Sequence, residues 1–259
     1  MPELPDVEGF RSVLAGYAVG RRVRQTEVAD PGVLRGTSAR RLDQALRGRR
    51  FTGTSRHGKW LLARTDGPVV LLHFGMTGSL HWSASGEPRH RHDRVVFVLD
   101  GGELRYRDMR KLKGLTLARD QAEAGRILTG LGPDALSVGA EDFARLLESR
   151  RGAVKAVLVD QHVIAGLGNL LADEILWRAR LHPRRRASDL ETGEARRLHR
   201  EMRAVLRAAV RAARVPPRRS WLTGVRDRGH PLCPRCGTEL ERSRIGGRAT
   251  VWCPRCQPG

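Results

Sequence analysis

The chain has 259 residues, and its 48 lysine and arginine residues against 28 acidic ones give a formal net charge of +20. This length suits one or two domains with hydrophobic cores of their own. The charge favours a polyanionic partner such as nucleic acid, but a ribosomal or DNA-coating protein would share it, so the charge indicates no particular reaction. No apolar run approaches the roughly 18–20 residues of a membrane span, and no signal-peptide core precedes the first helix, so we expect a cytoplasmic protein.

The first eight residues read MPELPDVE. Pro2 and Pro5 keep this stretch extended, and a helix with one apolar face is predicted from about residue 6 to residue 17. That face consists of Val7, Phe10, Leu14 and Tyr17. One interpretation is a frayed terminus before a helix. The other is that removal of Met1 exposes Pro2 as a terminal secondary amine, which is a nucleophile.

Two halves with different hydrophobic patterns follow. Up to about residue 118 the apolar segments are short and separated by Gly, Pro and Asp, which predicts a β-sandwich or barrel. These segments are FTGTS, WLLART, VVLLHF, RVVFVLD, ELRYRD and LTLA. From about residue 120 the segments have helical spacing; in residues 190–214 the apolar stripe is Ala195, Leu198, Met202, Val205 and Ala209. The predicted fold is an α+β multidomain chain, with a helix and β-sandwich over 1–118, a helical domain over 119–224 and a small hairpin over 225–259.

All four cysteines lie in this last part, as Cys233-x2-Cys236-x16-Cys253-x2-Cys256. Two CxxC pairs at this separation are typical of a tetrahedral zinc site, which fixes a hairpin too small to have its own core. Two disulfides are the alternative, and a reducing cytoplasm disfavours them. Because four thiolates leave no open coordination position, we predict one structural Zn²⁺ ion in a zinc-finger hairpin.

A second signal is the segment GLGN at residues 166–169, between two helical stretches. Its glycines allow backbone N–H groups and a helix N-terminus to face an anion. An ordinary tight turn between helices is the alternative interpretation.

Lysine is rare in this arginine-rich chain. The lysines are Lys59, Lys111, Lys113 and Lys155. A lysine is a compact point charge that does not replace the planar guanidinium group, so each is a candidate for a specific role. Chance is the alternative for any one of them.

Several segments, in their order along the chain, resemble the formamidopyrimidine-DNA glycosylase/endonuclease VIII family of base-excision repair enzymes. They are MPELPDVE, RHGKWLL, LLHFGMTGSL, RYRDMRK, LGPDALS, GLGN and the cysteine hairpin. The resemblance covers nearly the whole chain. It implies a helix–two-turn–helix domain in the helical half and a partner that is double-stranded DNA with a damaged base or an abasic site. It further implies a bifunctional DNA glycosylase with AP-lyase activity, and we expect a nucleoid-associated monomer.

The resemblance assigns Pro2 as the nucleophile that attacks C1′ of the damaged nucleotide, forms a Schiff base and allows β- and δ-elimination. An α-amine has a pKa of about 7.7–8.0, so on the order of 10% is unprotonated at pH 7. Glu3 matches the general acid/base. Asp6 stands where glutamate is usual, which shortens a second carboxylate arm. Lys59 in RHGKW matches a hairpin lysine that contacts phosphate near the lesion.

The target atom lies inside the duplex, so the nucleotide must be flipped out and the gap filled. The resemblance assigns this role to Met76, which enters the base stack, and to Leu112, which stands where phenylalanine is more usual. Arg110 matches the residue that donates hydrogen bonds to the orphaned base.

Further residues match positions of the family that hold the DNA backbone. These are Lys155, Asn169 and Arg248. Glu174 matches a position that supports the helical motif or faces the base pocket, and Asp160 is a candidate to cap or brace the GLGN turn.

Members specialised for 8-oxo-guanine usually carry a longer loop before the zinc finger than the interval RVPPRRSWLTGVRDRGHPLC found here. Arg226 also stands where tyrosine is common, and Lys113 where glycine is expected. An open pocket favours oxidised pyrimidines, ring-opened purines, hydantoins or a bulkier adduct, and strong specificity for 8-oxo-guanine is not expected.

Two alternatives stay open at this point. One is a glycosylase specialised for bulky alkylated or crosslinked bases, which would share Pro2 and Glu3. The other is a catalytically silent binder of damaged DNA. Pro2, Glu3 and Lys59 argue against the silent binder, because a pure binder has no need of a nucleophilic terminus.

Overall fold

The computed structural model describes all 259 residues. They form two compact units: Met1–Pro2 with Asp6–Thr129, and Glu3–Pro5 with Gly130–Gly259. The domain limits drawn from the sequence, 1–118, 119–224 and 225–259, stay a prediction. None of the helices combines the length and the apolar character that a membrane span requires.

The first unit is built on two sheets. The helices and strands up to residue 129 are α1 (Leu4–Tyr17), β1 (Val23–Val28), β2 (Leu34–Arg35), α2 (Ala39–Leu46), β3 (Phe51–His57), β4 (Trp60–Thr65), β5 (Val69–His73), β6 (Ser79–Ser83), β7 (Asp93–Leu99), β8 (Gly102–Arg107), β9 (Gly114–Ala118) and α3 (Gln121–Ile127). One sheet has the order β1-β7-β8-β6 and the other β2-β9-β5-β4-β3. Except for the parallel pair β2–β9, all neighbouring strands are antiparallel.

The two sheets share one hydrophobic core, which makes the unit a sandwich. Val23, Val95 and Phe97 from one sheet cluster with Phe51 and Val70 from the other, and all five are buried. Antiparallel strands of this kind bury one face against the partner sheet and leave the other available to solvent or to a ligand. The predicted β-sandwich is therefore confirmed.

The N-terminal helix differs from its prediction in two respects. It begins at Leu4 rather than about residue 6, because the first turn of a helix has no intrahelical partners for its N–H groups and so tolerates Pro5. Val7 and Leu14 are buried as predicted, but Tyr17 is 48% exposed. Its ring stacks on Trp82 instead, with 5.5 Å between the centroids.

The sequence interpretation also missed a helix, α2, within the strand-rich half. Ser38 caps it by accepting a hydrogen bond from the backbone N–H of Arg41 at 3.2 Å. Leu42 and Leu46 lie one turn apart and are both fully buried. The cap and this buried apolar pair stabilise a helix here, although the surrounding segments have strand-like patterns.

The second unit is mostly helical. Its elements are α4 (Ala140–Glu148), α5 (Val154–Val159), α6 (Asn169–Ala179), α7 (Thr192–Arg211), β10 (Glu241–Ile245) and β11 (Arg248–Trp252). The five predicted apolar residues of α7 are all buried. Helix α6 is buried on nearly all sides, because it packs against α5, α7 and β11. Its two ends therefore lie at fixed positions in this unit.

Candidate active site

The carboxylate of Glu3 lies at the N-terminus of α6. Its two oxygens accept hydrogen bonds from the backbone N–H groups of Gly168 at 2.9 Å, Leu170 at 2.9 Å and Leu171 at 3.2 Å. The first N–H groups of a helix have no intrahelical partner and carry a partial positive charge, so they suit a carboxylate. The anion predicted to face the GLGN segment is thus a side chain of the protein itself.

Two glycines allow this close approach. A Cβ atom at Gly168 would lie 2.2 Å from the carboxyl carbon of Glu3, and one at Gly166 would lie 2.5 Å from Leu4. Gly166 also has a φ of +113°, which side-chain-bearing residues rarely adopt. Its carbonyl accepts a hydrogen bond from the N–H of Leu4 at 3.1 Å. The GLGN turn therefore binds the side chain of Glu3 and the backbone of the next residue.

Gln161 holds the GLGN turn in place, which corrects the assignment of Asp160 as the brace. The side-chain oxygen of Gln161 accepts from Gly166 N at 3.0 Å, and its amide donates to the carbonyl of Leu167 at 2.8 Å. The carboxylate of Asp160 instead accepts from His162 N at 2.9 Å. A glutamine was needed because the turn offers both a donor and an acceptor, and a carboxylate can only accept.

Pro2 directly precedes Glu3 and is partly exposed. Three backbone N–H groups fix the side chain of Glu3, which is the residue bonded to Pro2. Asp6 lies in the first turn of α1 and is half-buried. Its assignment as a second carboxylate stays a prediction.

Lys59 lies in the tight turn between β3 and β4. Gly58 begins the turn with a φ of +55°, and His57 pairs with Trp60 across it. The guanidinium group of the nearly buried Arg56 donates to the carbonyl of Gly58 at 2.8 Å and contacts Glu8 of α1 at 2.7 Å. Arg56 therefore ties the lysine-bearing turn to the N-terminal helix.

Two loops, residues 74–78 and 108–113, carry the predicted gap-filling residues Met76 and Leu112 and the predicted base contact Arg110. We call them the wedge loops, and the structure joins them. Asp108, which the sequence interpretation left without a role, accepts from Thr77 Oγ1 at 2.6 Å and from Arg110 N at 3.1 Å. Across the same junction, Cβ of Leu112 would be 3.7 Å from a Cβ atom at Gly75. An aspartate directly after a strand was the signal that could have identified this link.

The wedge side chains themselves are exposed. Met76 is 40% exposed and Leu112 50%, and Met109 next to Arg110 reaches 54%. Large apolar side chains this exposed need an explanation when they gather on two tied loops. The loops thus present apolar groups beside the exposed guanidinium group of Arg110.

His73, at the end of β5, is a further polar group of this unit. Burial, together with the charges of Lys113 and Lys59, lowers the pKa of His73 to about 4, so its ring is neutral at pH 7. Its Nδ1 accepts from Gly75 N at 3.0 Å, which places the ring proton on Nε2.

Lys155 is not placed as the sequence predicted. Its side chain is fully buried, so it presents no ammonium group to a phosphate. The ammonium contacts Asp173 at 2.5 Å, Thr250 Oγ1 at 2.7 Å and the carbonyl of Ala249 at 3.0 Å. A buried ammonium must find such partners because it has lost its hydration. The assignment of Lys155 as a direct backbone contact is therefore corrected.

Asp173 also pairs with Arg226, the residue found where tyrosine is common. The guanidinium group donates to Asp173 Oδ2, and the N–H of Val251 donates to the same oxygen at 3.3 Å. Burial raises the pKa of the Asp173 carboxyl, and the charges of Lys155 and Arg226 oppose that rise. Because arginine does not lose its proton, the carboxylate has a permanent cationic partner.

Glu174, the next residue of α6, holds a different segment. Its carboxylate pairs with Arg178 at 2.8 Å and accepts from the N–H of Thr223 at 3.1 Å and its hydroxyl at 3.3 Å. Arg178 in turn lies over the ring of Trp221, 4.5 Å from its centroid. Burial raises the pKa of Glu174, and these donors oppose the rise. Glu174 thus supports the helical unit, one of the two roles predicted for it.

The remaining predicted DNA contacts lie at element ends. Asn169 is the first residue of α6 and is half-buried, and Arg248 is the exposed first residue of β11. Their roles stay predictions.

The four cysteines form one cluster. All four Sγ atoms lie within 4.8 Å of one another, and three of the S–S separations are 3.9, 3.5 and 3.5 Å. Tetrahedral Zn–S bonds of about 2.3 Å give an S–S edge of about 3.8 Å, so the donor set fits Zn²⁺. Trp177 of α6 donates its indole N–H to Cys233 at 3.4 Å, and Gln257 accepts from Cys253 N at 3.0 Å.

Three family models match the chain. They describe the formamidopyrimidine-DNA glycosylase N-terminal domain over residues 1–115, the H2TH domain of the same enzyme over 130–216, and a zinc finger found in FPG and IleRS over 232–259. The formamidopyrimidine-DNA glycosylase of Symbiobacterium thermophilum is 39% identical over 100% of this chain and 90% of its own length. The chain belongs to the formamidopyrimidine-DNA glycosylase family. It is accordingly a DNA glycosylase of base excision repair with the fold predicted from its sequence.

Relatives and solved structures agree on this family. The formamidopyrimidine-DNA glycosylase of Acidothermus cellulolyticus is 39% identical, with 100% of this chain and 98% of the relative covered. A structure of a Lactococcus lactis Fpg mutant in complex with Fapy-dG-containing DNA matches with a TM-score of 0.91 and 28% identity, covering 100% of both chains. Another structure, of L. lactis formamidopyrimidine-DNA glycosylase bound non-covalently to DNA with an abasic site, has a TM-score of 0.90 at 28% identity with the same coverage.

Proposed function

We propose that the chain is a bifunctional DNA glycosylase and AP lyase, with the secondary amine of Pro2 as nucleophile. The observation that carries the proposal is the carboxylate of Glu3, fixed by three backbone N–H groups at the residue next to Pro2. A frayed terminus has no use for such an anchor. An oriented carboxylate beside a nucleophilic amine is the arrangement that covalent catalysis needs.

In the glycosylase step the lone pair of Pro2 N attacks C1′ of the damaged nucleotide. The N-glycosidic bond breaks and the base leaves with its electron pair, taking up a proton. Opening of the sugar ring gives a cationic iminium between Pro2 and C1′. This cation withdraws electrons, so that loss of a proton at C2′ expels the 3′-phosphate by β-elimination, and δ-elimination then expels the 5′-phosphate.

Glu3 serves as general acid and base in these steps. Its carboxylate can accept the proton that the attacking amine releases, and the carboxylic acid so formed can donate that proton to the sugar ring oxygen as the ring opens. The three backbone donors hold the carboxylate at the N-terminus of α6, so the side chain of Glu3 does not move freely.

DNA is held and distorted by residues outside the chemical centre. Met76 and Leu112 fill the gap left by the flipped nucleotide, and Arg110 donates hydrogen bonds to the orphaned base. Lys59, Asn169 and Arg248 contact phosphates. The exposed wedge loops and their link through Asp108 support this assignment.

The cysteine cluster holds one Zn²⁺ ion, with Cys233, Cys236, Cys253 and Cys256 as its ligands. A zinc ion with four thiolates has a closed coordination shell and contributes to folding rather than to catalysis. The ligands' own contacts, from Trp177 and Gln257, fix the hairpin that carries Arg248.

The segment before the zinc finger favours smaller or ring-opened lesions over 8-oxo-guanine. Trp221 and Leu222 are buried, and Thr223 donates twice to Glu174, so the short segment is tied down to α6. Little of it is free to close over a flipped purine. The substrates are therefore oxidised pyrimidines, ring-opened purines and hydantoins, and the names of the relatives agree with the second of these classes.

The test is to incubate the purified protein with a duplex holding one abasic site, add borohydride and look for a covalent adduct. The intact mass of the protein is recorded to establish that Met1 has been removed. We expect an adduct in the wild type and none in Pro2→Gly or in protein that retains Met1. Absence of an adduct from correctly processed protein would sink the proposal and favour the catalytically silent binder.

A second candidate, a specialist for bulky alkylated or crosslinked bases, is favoured by the same tied-down segment, which leaves the base site uncovered. Excision rates on matched duplexes with a ring-opened purine, an oxidised pyrimidine or a bulky alkyl adduct separate the two candidates. The specialist would cleave the bulky adduct faster than either small lesion.

A further inference from the structure

A buried cluster of charges links α5, α6 and the zinc hairpin. It consists of Lys155, Asp173 and Arg226, and we call it the Lys155–Asp173–Arg226 cluster. All three side chains are nearly or wholly buried. Burying three charges is costly, and replacing them by apolar residues is often neutral or stabilising. Stability alone therefore does not account for the cluster.

The side chains of Lys155 and Asp173 contact the hairpin at three consecutive residues of β11. Lys155 contacts the carbonyl of Ala249 and the hydroxyl of Thr250, and Asp173 accepts from the N–H of Val251. These residues directly follow Arg248, the exposed arginine of the hairpin. The cluster therefore holds β11 directly after Arg248, which is its first residue.

The hydroxyl of Thr250 connects the cluster to Arg248 itself. It accepts from Lys155 at 2.7 Å and donates to the carbonyl of Arg248 at 3.1 Å. The two bonds form a relay from a fully buried ammonium group to the backbone of an exposed residue. Directional bonds of this kind fix an orientation that apolar packing would leave looser.

A second set of contacts acts on the opposite strand of the hairpin. Arg242 of β10 donates to the carbonyl of Arg226 and, at 2.9 Å, to that of Arg228. Arg226 thus pairs with Asp173 through its side chain and accepts a hydrogen bond from β10 through its backbone carbonyl. Both strands are tied to the same buried cluster.

We infer that the Lys155–Asp173–Arg226 cluster is a positioning device that aims Arg248 at a DNA phosphate, acting through Thr250. The inference rests on the proposed function for the assignment of Arg248 to a phosphate. It explains how Lys155 contributes to DNA binding without touching DNA. In this chain Arg226 supplies the second cation, which a tyrosine at that position would not.

The test is a double-mutant cycle on the dependence of DNA affinity on salt. Each phosphate contact contributes about one unit to the slope of log K against log salt concentration. The variants are Lys155→Met, Arg248→Ala and the double variant, measured with full-length zinc-containing protein on one duplex with a tetrahydrofuran abasic analogue and one undamaged duplex. We expect each single variant to lower the slope by about one, and the double variant to lower it by about one in total.

Two other results would overturn the inference. A double variant whose slope falls by about two would mean that Lys155 contacts a phosphate itself. A slope unchanged in Lys155→Met would mean that the cluster only supports the fold. With lesion DNA we also expect Lys155→Met to raise KM while kcat stays within about twofold, the pattern of lost uniform binding.

Two further variants serve as a fallback and as a control for this test. If Lys155→Met loses zinc or fails to fold, Thr250→Val breaks the relay without removing a charge, and a folded Thr250→Val protein with the wild-type slope would refute the inference. Glu174→Gln is the matched control, because Glu174 is the buried carboxylate next to Asp173 on α6 and its hydrogen bonds go to Arg178 and Thr223. Its effect should combine additively with that of Arg248→Ala. Binding to undamaged DNA needs no chemistry at Pro2, so a missing borohydride adduct would leave the cycle interpretable.

Discussion

At the scale of single residues, the site depends on backbone groups as much as on side chains. The carboxylate of Glu3 reaches three N–H groups only because Gly166 and Gly168 have no side chain in its path. A glycine at such a place is a requirement of the contact and not a flexible joint. The position of the carboxylate that we propose as general acid and base is thus encoded more than 160 residues away from it in the sequence.

Gly168→Ala should displace Glu3, because the added Cβ would lie 2.2 Å from the carboxyl carbon. We expect the rate of base excision to fall by a factor on the order of 10² or more, since a displacement of about 1 Å in a catalytic group has that effect. Single-turnover excision on a ring-opened purine duplex measures it. Gly193→Ala, at a position of α7 with open space around the glycine, is the control and should excise at the wild-type rate.

His73 gives a pH dependence of stability. Its pKa is about 4 in the folded protein against an ordinary value of 6.5, so the unfolded chain binds more protons between these two pH values. The contribution of neutral His73 is therefore complete above about pH 6.5 and is lost as the pH falls to about 4, amounting to at most about 3 kcal/mol. Urea unfolding of wild type and His73→Asn at pH 7 and pH 4.5 should show a smaller loss in the variant. An equal loss in both would contradict the assignment, and His230→Asn, an exposed position, serves as control.

At the scale of elements, α6 organises the second unit. Its N-terminus binds Glu3, its middle carries Asp173 and Glu174, and its last turn presents Trp177 to the cysteine cluster. Each of these contacts goes to a different part of the chain. Because the helix is buried on nearly all sides, these contacts keep fixed relative positions.

Cys253→Ser should release zinc from the hairpin, because a hydroxyl is a poor substitute for a thiolate ligand. We expect less than one equivalent of zinc per chain by elemental analysis and weaker binding to duplex DNA. Ser243→Ala, in the same hairpin but outside the cysteine cluster, should keep its zinc. Full zinc occupancy in Cys253→Ser would remove Cys253 from the ligands.

At the scale of the whole molecule, the net charge of +20 governs the approach to DNA. Such a field raises association rates and gives non-specific affinity that falls steeply with salt. It does not distinguish a lesion from an intact base. We expect discrimination between them to come from the wedge loops and from the chemistry proposed at Pro2.

Arg248→Ala should lower the salt slope of DNA binding by about one and weaken binding to damaged and intact duplexes alike. Fluorescence anisotropy at several salt concentrations measures both. Arg126→Ala, which removes the same charge from the exposed end of α3, should leave the slope unchanged. Equal slopes for wild type and Arg248→Ala would exclude Arg248 from the phosphate contacts.

The sequence by itself determined the family, the β-sandwich followed by helices, and the four-cysteine hairpin. These features are set by local patterns: strand-length apolar segments, the stripe on α7 and the spacing of two CxxC pairs. It also marked Pro2, Glu3 and the GLGN turn as special. It did not show that Glu3 is the anion at that turn, because the two segments are distant in sequence and meet only on folding.

Only the tertiary structure decided the contacts of Lys155 and Gln161. A sequence does not show whether a lysine faces solvent or a buried carboxylate. Burial of a side chain depends on every element packed around it. The partners of Lys155 come from α6 and β11, which chain order does not bring together. Contacts between distant segments are a property of the packed core, and no local pattern encodes them.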